Sequence, residues 1–355
     1  MSHSTVSSLG EHALIARITA RLAMPPWVVV GPGDDAAVIQ PARGALDVLT
    51  TDAQVDGVHF DLRFVPPEAA GHRALAVNLS DLAAMGAEPR AALLSLLLPE
   101  SFDVEAIDRM MDGLLALAAR HHVTLIGGNI ARTSGPLALD VTAIGSVRPR
   151  RVMTRAGARA GDEVYVTGTL GDAAVGLRAL NAAFNAMPRL TANADVDRRS
   201  SREASPAGAA VDDRCTARYL RPEPRVRAGL LLGRNRAAAS CIDLSDGLAD
   251  GVRQVAAASD VGITIDASSI PISEQARAWH ERTVSDPIQT ALTAGDDYEL
   301  LFTVGKAHRG RLRGVLKQIG DLPITRIGVV TRQREVLLRD ASGLHELPQG
   351  YQHFQ

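Results

Sequence analysis

Lysine is nearly absent from this 355-residue chain: it occurs only at Lys306 and Lys317, and arginine supplies the rest of the side-chain positive charge apart from histidine. The P-loop pattern G-x-x-x-x-G-K-[ST] is missing, and so is the lysine motif of protein kinases. If this protein binds a nucleoside triphosphate, metal ions, arginine and backbone amides must therefore neutralise the phosphates.

Aromatic residues make up only 3% of the chain, so stacking platforms for nucleic-acid bases are scarce. A net charge of −2 argues against a nucleic-acid or anionic-membrane partner. Cys215 and Cys241 are too few for a disulfide framework or a zinc site. No apolar run could span a bilayer, and residues 1–17 lack the apolar core of a signal peptide. We therefore expect a cytoplasmic protein without nucleic-acid or membrane partners.

The length favours about two domains, and 46% apolar residues are enough for a large core. Pro149, Gly157 and Gly161 cluster where a boundary is expected, so we predict domains over 1–150 and 151–355. Residues 187–214 are rich in Arg, Ser, Asp, Ala and Pro without periodicity, which predicts a flexible insertion. Alternating strand and helix patterns indicate an α/β or α+β fold.

The hydrophobic periodicity predicts the elements individually. Helices are expected over 13–24, 67–86, 103–122, 225–232 and 306–318, from 172 onward, and from just after 247 to about 259. Strands are expected over 45–51, 91–98, 123–126, 137–147, 163–167, 262–266, 298–304, 325–330 and 335–338, and just before 243.

Acidic residues recur beside small residues, hydroxyls or glycine, often after apolar runs. These clusters are Gly33-Asp34-Asp35, Thr50-Thr51-Asp52, Asn78-Leu79-Ser80-Asp81, Asp243-Leu244-Ser245-Asp246 and Gly295-Asp296-Asp297. Each cluster alone is also compatible with a turn or a helix cap. Together they favour several Mg²⁺ ions around a polyphosphate, because Mg²⁺ prefers carboxylate and hydroxyl oxygens alongside phosphates.

Weaker signals surround these clusters. Gly127-Gly128-Asn129 follows a predicted strand, where glycine permits either a close ligand or a plain turn. Gly168-Thr169-Leu170-Gly171 joins a strand to a helix, a junction that can bind phosphate. His59 is either a ligand contact or a surface histidine.

In order along nearly the whole chain, these motifs resemble the thiamine-monophosphate kinase family. The resemblance is carried by GPGDD (31–35), TTD (50–52), GVHF (57–60), AVNLSDLAAMGA (76–87), VTGTLGD (166–172), IDLSDGL (242–248), GDDYEL (295–300) and GYQHF (350–354). It implies the PurM-like fold, with two domains that each contain a mixed sheet and flanking helices. It also implies ATP- and Mg²⁺-dependent phosphorylation of thiamine monophosphate to thiamine diphosphate, by a homodimer whose N-terminal domains pair.

The resemblance also implies roles for individual residues. The implied metal ligands are Asp35, Thr50, Thr51, Asp52, Asp81, Asn129, Asp243 and Asp246. The implied ATP contacts are Gly128, Asn129, Arg155 and Ser245, and the implied substrate contacts are His59, Asp296 and Tyr351. Three positions depart from the family pattern: Asn129 stands where an aspartate is usual, Asp296 where a glutamate is usual, and Pro32 where an aliphatic residue is common.

No side chain in these motifs suggests a general base, and none is required. A phosphate monoester has a second pKa of about 6, so the acceptor is already mostly dianionic at neutral pH. We therefore expect direct in-line transfer that depends on positioning and electrostatics. The alternatives are another PurM-like ATP-dependent synthetase, or a non-catalytic relative that binds nucleotide or thiamine diphosphate.

Overall fold

The computed structural model describes residues 4–186 and 214–350, and within them the longer strands form two mixed sheets. The strands are β1 Val28–Val30, β2 Val38–Ile39, β3 Leu46–Val55, β4 Glu88–Leu98, β5 Thr124–Arg132, β6 Ala138–Val147, β7 Glu163–Thr167, β8 Ser240–Asp243, β9 Gly262–Asp266, β10 Leu300–Val304, β11 Ile324–Thr331, β12 Val336–Asp340 and β13 Gly343–Glu346. The first sheet has the order β3-β6-β4-β5, and the second has the order β13-β12-β9-β11-β7-β10-β8. In each sheet one neighbouring pair is parallel, β4 with β5 and β12 with β9. A separate two-stranded sheet joins β1 and β2.

The helices lie mostly on the faces of these sheets. They are α1 Val6–Leu9, α2 Glu11–Thr19, α3 Pro67–Ala84, α4 Val104–Arg120, α5 Asp172–Ala186, α6 Arg214–Leu220, α7 Val226–Asn235, α8 Leu248–Ser259, α9 Glu274–Thr283, α10 Pro287–Thr293 and α11 Arg309–Leu316, with short 3₁₀ turns at 149–151, 267–269 and 306–308. None of the described helices combines the length and the apolarity needed to cross a membrane.

Helix α3 is the central element of the molecule. It begins with Pro67, whose fixed backbone angle suits the first helical turn, and nearly all of its later residues are buried. It packs on β3 and β6 on one side and on α7 on the other. Gly229 of α7 permits this approach, because a Cβ atom there would lie 2.0 Å from the carbonyl oxygen of Ala83.

The apolar core continues across both halves. One cluster joins α3 and α4 to α7, α11 and one face of β10, where Phe302 is fully buried. A second cluster covers the opposite face of the same strand, where Leu301 packs with α8 residues such as Val252. Because side chains alternate along a strand, β10 is buried on both faces. The two halves are therefore docked through a shared layer of helices.

The expected fold class is confirmed, and the β7 and β9 strands have the predicted bounds. The strand expected over 123–126 is present, but its predicted end is wrong, because β5 continues to Arg132 and contains Gly127, Gly128 and Asn129. The helix expected over 13–24 is Glu11–Thr19. Helices α1, α6, α9 and α10 and strands β1, β2 and β13 were not predicted. Residues 187–213 of the predicted insertion lie outside the described residues, and its last residue, Arg214, begins α6.

Candidate active site

A cavity of about 760 Å³ lies between the two halves of the molecule. Five of the aspartates singled out in the sequence line it: Asp296, treated below, and the four grouped here, Asp52, Asp81, Asp243 and Asp246. Asp52 comes from β3, Asp81 from the C-terminal part of α3, Asp243 from the end of β8, and Asp246 from the loop before α8. Tertiary structure thus collects carboxylates from three distant segments.

Hydrogen bonds tie these segments together. The Thr50 hydroxyl donates to Oδ2 of Asp81 at 2.5 Å. The buried hydroxyl of Ser80 donates to Oδ2 of Asp243 at 2.7 Å, which links α3 to the second sheet. These bonds hold the carboxylates of α3 and β8 in defined orientations before any ligand binds.

The crowded carboxylates raise one another's proton affinity. Burial, and then the negative charge of Asp81, raise the pKa of Asp52 to about 7. Burial and Asp81 likewise raise the pKa of Asp243 to about 7. Burial also raises the pKa of Asp81, although the Thr50 hydroxyl and the Arg155 charge oppose this shift. The protein thus places more negative charge here than its own cations neutralise.

This donor set fits Mg²⁺. Within residues 4–186 and 214–350, no three His, Cys, Asp or Glu side chains form a group that could hold a metal ion unaided. An ion here would need additional oxygen ligands, and Mg²⁺ usually takes one or two carboxylates and completes its shell with water and substrate phosphates. Asp52, Asp81, Asp243 and Asp246 are the residues that could hold it, with Thr50 beside them.

Three further predicted residues lie in the same cavity. Arg155 lines it and donates from Nη1 to Oε1 of Gln254 at 2.5 Å, which directs its guanidinium along the cavity wall. His59 also lines it, and its Nδ1 accepts a hydrogen bond from the backbone nitrogen of Val55 at 3.1 Å. Ser245 is exposed at the cavity and donates to Asp246 at 3.1 Å.

Asp296 enters the cavity from the loop before β10, and its backbone lies in the left-handed region at φ +71°. Tyr351 lies outside the described residues. The residue before it, Gly350, lies against α8 and the loop that precedes it: a Cβ atom there would be 2.8 Å from Cβ of Asp250 and 2.9 Å from the carbonyl oxygen of Asp246. The chain thus reaches residue 350 beside the carboxylate cavity.

The remaining predicted residues line a different cavity, of about 750 Å³, on the open face of the first sheet. Asp35, Gly128 and Asn129 line it, together with residues of α2. Thr51 also faces this side, because its hydroxyl donates to Asp140 at 3.0 Å and Asp140 lines this cavity. Side chains alternate along β3, so Thr50 and Asp52 face the carboxylate cavity and Thr51 does not.

Strand packing explains why glycine occupies position 128. Strand β5 carries a bulge, since Ala92 pairs with Leu125 whereas Leu93 pairs with Gly127. A Cβ atom at Gly128 would lie 1.9 Å from the carbonyl oxygen of Leu94. Close strand pairing therefore accounts for this glycine, which the sequence pattern had associated with a turn or a ligand.

Sequence reasoning missed several residues of the carboxylate cavity. Arg178 and Asn181 line it from α5, and Tyr219 and Tyr298 line it from the second half. Nothing in the periodicity of α5 distinguishes Arg178 or Asn181 from solvent-facing polar residues. Tyr298 carried a usable signal, because it follows directly on Gly-Asp-Asp in a motif that was already singled out.

The sequence matches two consecutive families: AIR synthase related protein, N-terminal domain, over residues 33–147, and AIR synthase related protein, C-terminal domain, over residues 159–340. The fold and site therefore define an AIR-synthase-related protein.

Thiamine-monophosphate kinase of Bacillus subtilis is 35% identical over 98% of this chain and 100% of its own length. The crystal structure of thiamine-monophosphate kinase from Stenotrophomonas maltophilia is 39% identical and covers 95% of this chain and 98% of its own, with a TM-score of 0.76. A solved complex of AaThiL with AMPPCP and TMP is 30% identical over 100% of both chains, with a TM-score of 0.72. The chain belongs to the thiamine-monophosphate kinase family.

Proposed function

We propose that this protein transfers the γ-phosphoryl group of ATP to thiamine monophosphate, which produces thiamine diphosphate. The observation that carries the proposal is the convergence of Asp52, Asp81, Asp243 and Asp246 from both halves on one cavity. Membership of the family supports the choice of substrates, and so does the relative solved with AMPPCP, an ATP analogue, and TMP.

The acceptor needs no deprotonation, because its phosphate is already mostly dianionic at neutral pH. The main obstacle is repulsion between two polyanions. Mg²⁺ bound by the four aspartates would screen that repulsion and stabilise charge on the transferring group. The protein's own contribution is to hold these carboxylates through Thr50 and Ser80, so that donor and acceptor meet in line. We propose direct transfer without a phospho-enzyme.

ATP is proposed to cross the edge of the first sheet. Strand β3 is an edge strand that connects the two sides: its Asp52 lines the carboxylate cavity, and its Thr51 donates to Asp140, which lines the open-face cavity. In the carboxylate cavity, the phosphates would be contacted by Arg155 and Ser245. In the open-face cavity, the nucleotide or its metal would be contacted by Gly128, Asn129, Asp35 and Thr51. His59, Asp296 and Tyr351 are the proposed contacts of thiamine monophosphate.

The first sheet also supports the proposed homodimer. Its open face exposes apolar side chains, with Leu49 at 65% and Leu97 at 36% exposure. Exposed apolar surface of this kind is typical of protein interfaces. The domain division at residue 150 remains our proposal, and it is supported by the absence of any described strand shared between the two large sheets.

The test is to incubate the purified protein with ATP, Mg²⁺ and thiamine monophosphate and to separate the thiamine esters by chromatography. We expect thiamine diphosphate from the monophosphate only, and only with the metal; free thiamine serves as the control. ATP binding without product would instead favour a non-catalytic binder, and a trapped phosphorylated residue would refute direct transfer.

A further inference from the structure

Arg73 is an arginine in the interior of α3, a helix in which nearly all residues after the first turn are buried. Its side chain is fully buried in α3, and it does not line the carboxylate cavity. A buried guanidinium is stable only where acceptors or an opposite charge compensate its desolvation. Its partners therefore indicate why the charge is there.

These partners all come from the second half of the molecule. One terminal nitrogen, Nη1, donates to the carbonyl oxygen of Tyr219 at 2.5 Å. The other, Nη2, donates to Oδ1 of Asp296 at 2.9 Å. The guanidinium also lies 4.6 Å from the centre of the Tyr219 ring, a cation–π geometry. Arg73 is thus fixed on three sides, and among the described residues its only carboxylate partner is Asp296.

Asp296 is oriented by two donors that share one oxygen. The Tyr298 hydroxyl donates to Oδ1 at 3.0 Å, the same oxygen that Arg73 contacts. No protein hydrogen bond to Oδ2 occurs within residues 4–186 and 214–350, and the Asp296 side chain is 30% exposed at the cavity. One oxygen is therefore held by the protein and the other remains available to a ligand.

The backbone around Asp296 is itself constrained. Asp296 and Tyr298 both adopt left-handed angles, φ +71° and +50°, which side chains other than glycine seldom adopt. Such conformations persist only where surrounding contacts enforce them, and they concentrate at functional sites. The contacts that Arg73 makes from α3 belong to that enforcement.

We propose that Arg73 is a positioning residue for the phosphoryl acceptor: it fixes Asp296 so that Oδ2 accepts a hydrogen bond from the amino group of the acceptor's aminopyrimidine ring. The inference rests on the proposed function, because thiamine monophosphate supplies that amino group. Arg73 does not line the cavity, and it acts on the substrate through Asp296.

The decisive experiment compares Arg73→Lys with the wild type. Lysine keeps the positive charge but loses the planar fork that reaches Tyr219 and Asp296 together. We expect the KM for thiamine monophosphate to rise about tenfold, with the KM for ATP within about twofold of the wild-type value. Arg225→Lys is the matched control, because Arg225 is also largely buried and pairs with the neighbouring Glu299 rather than with Asp296. It should leave the KM for thiamine monophosphate unchanged.

A double-mutant cycle separates positioning from structural support. In an Asp296→Asn background, Arg73→Lys should raise the KM for thiamine monophosphate no further. Tyr298→Phe, which removes the second donor and keeps the ring, should raise the same KM to a smaller extent and serves if Arg73→Lys does not fold. Equal increases in both KM values, or full additivity with Asp296→Asn, would overturn the inference.

Binding calorimetry with thiamine monophosphate distinguishes failure of the proposed kinase activity from failure of the positioning role of Arg73. If the wild type binds this compound without turnover, the proposed activity fails, and weaker binding by Arg73→Lys would still support the positioning role. If the wild type is active and Arg73→Lys behaves like the wild type, only the positioning role fails. Absence of both binding and turnover in the wild type would overturn both.

Discussion

Replacing Glu299 with glutamine should destabilise the protein far more than the same change at another arginine-paired glutamate. Glu299 lies just before β10, and its side chain is fully buried. It accepts hydrogen bonds from Thr167, Arg218 and Nε of Arg225, each at 2.6 Å. The change from Glu to Gln keeps the volume but removes the charge that both arginines face.

The magnitude follows from burial. Removing one partner of a buried ion pair costs about 3–5 kcal/mol, because the remaining charge loses its compensation. The Arg218 and Arg225 side chains are 12% and 15% exposed, so water can partly solvate them. We therefore expect a loss of about 3 kcal/mol in the free energy of unfolding, near the lower end of that range.

Glu163 provides the matched control. It lies on β7 in the same sheet and also faces two arginines, Arg309 at 2.8 Å and Arg326 at 3.4 Å. These arginines are 52% and 54% exposed, and such ion pairs contribute only about 0–1 kcal/mol. Glu163→Gln should therefore cost less than about 1 kcal/mol.

Urea unfolding of both variants at neutral pH, followed by far-UV circular dichroism, measures the two losses. The m-value should stay at its wild-type level, so that a shift in midpoint reports stability. Equal losses for Glu299→Gln and Glu163→Gln would refute the reasoning, because they would show that burial does not determine the strength of these pairs.

Three further changes test other features. Burial raises the pKa of Asp297 from its ordinary value of 3.8 to about 8, so between these pH values the folded state binds a proton that the unfolded state has lost, and the free energy of unfolding falls as the pH rises. Asp297→Asn should remove up to roughly 1.4 kcal/mol of this fall per pH unit between pH 5 and 7. Urea midpoints measured across this range would contradict the prediction if the variant kept the wild-type dependence on pH. Gly229→Ala should lower the free energy of unfolding by about 1–3 kcal/mol, because the added methyl group forces α7 away from α3. Gly310→Ala is the control and should cost no stability, because an added Cβ atom there would have no other atom within 4 Å. Equal melting temperatures for the two variants would reject the packing argument. Asp243→Asn should lower kcat roughly a thousandfold. It should not lower the melting temperature measured without metal, because it removes a buried carboxylate that has no cation beside it. Retained turnover would exclude Asp243 as a metal ligand.

Local sequence determined much of the secondary structure and the chemical character of the site. The apolar pattern of β7 and β9 was sufficient to place both strands, because buried strands are short apolar runs bounded by turn residues. Asp81 stood out because a carboxylate in a largely apolar helix needs a cation or a donor. The expectation of Mg²⁺ came from oxygen ligands alone, which are a property of residue type.

Tertiary structure decided which of these residues act together. Thr50 and Thr51 are adjacent and chemically identical, yet strand alternation places them on opposite faces of β3, where one bonds Asp81 and the other bonds Asp140. Ser80 bonds Asp243 across 163 positions, and Arg73 bonds Asp296 across 223. Local patterns report only the conformation of neighbouring residues, whereas such pairings depend on how α3 packs between the two sheets. That packing is set by the shared core and by close approaches such as Gly229 on Ala83, which only the folded chain reveals.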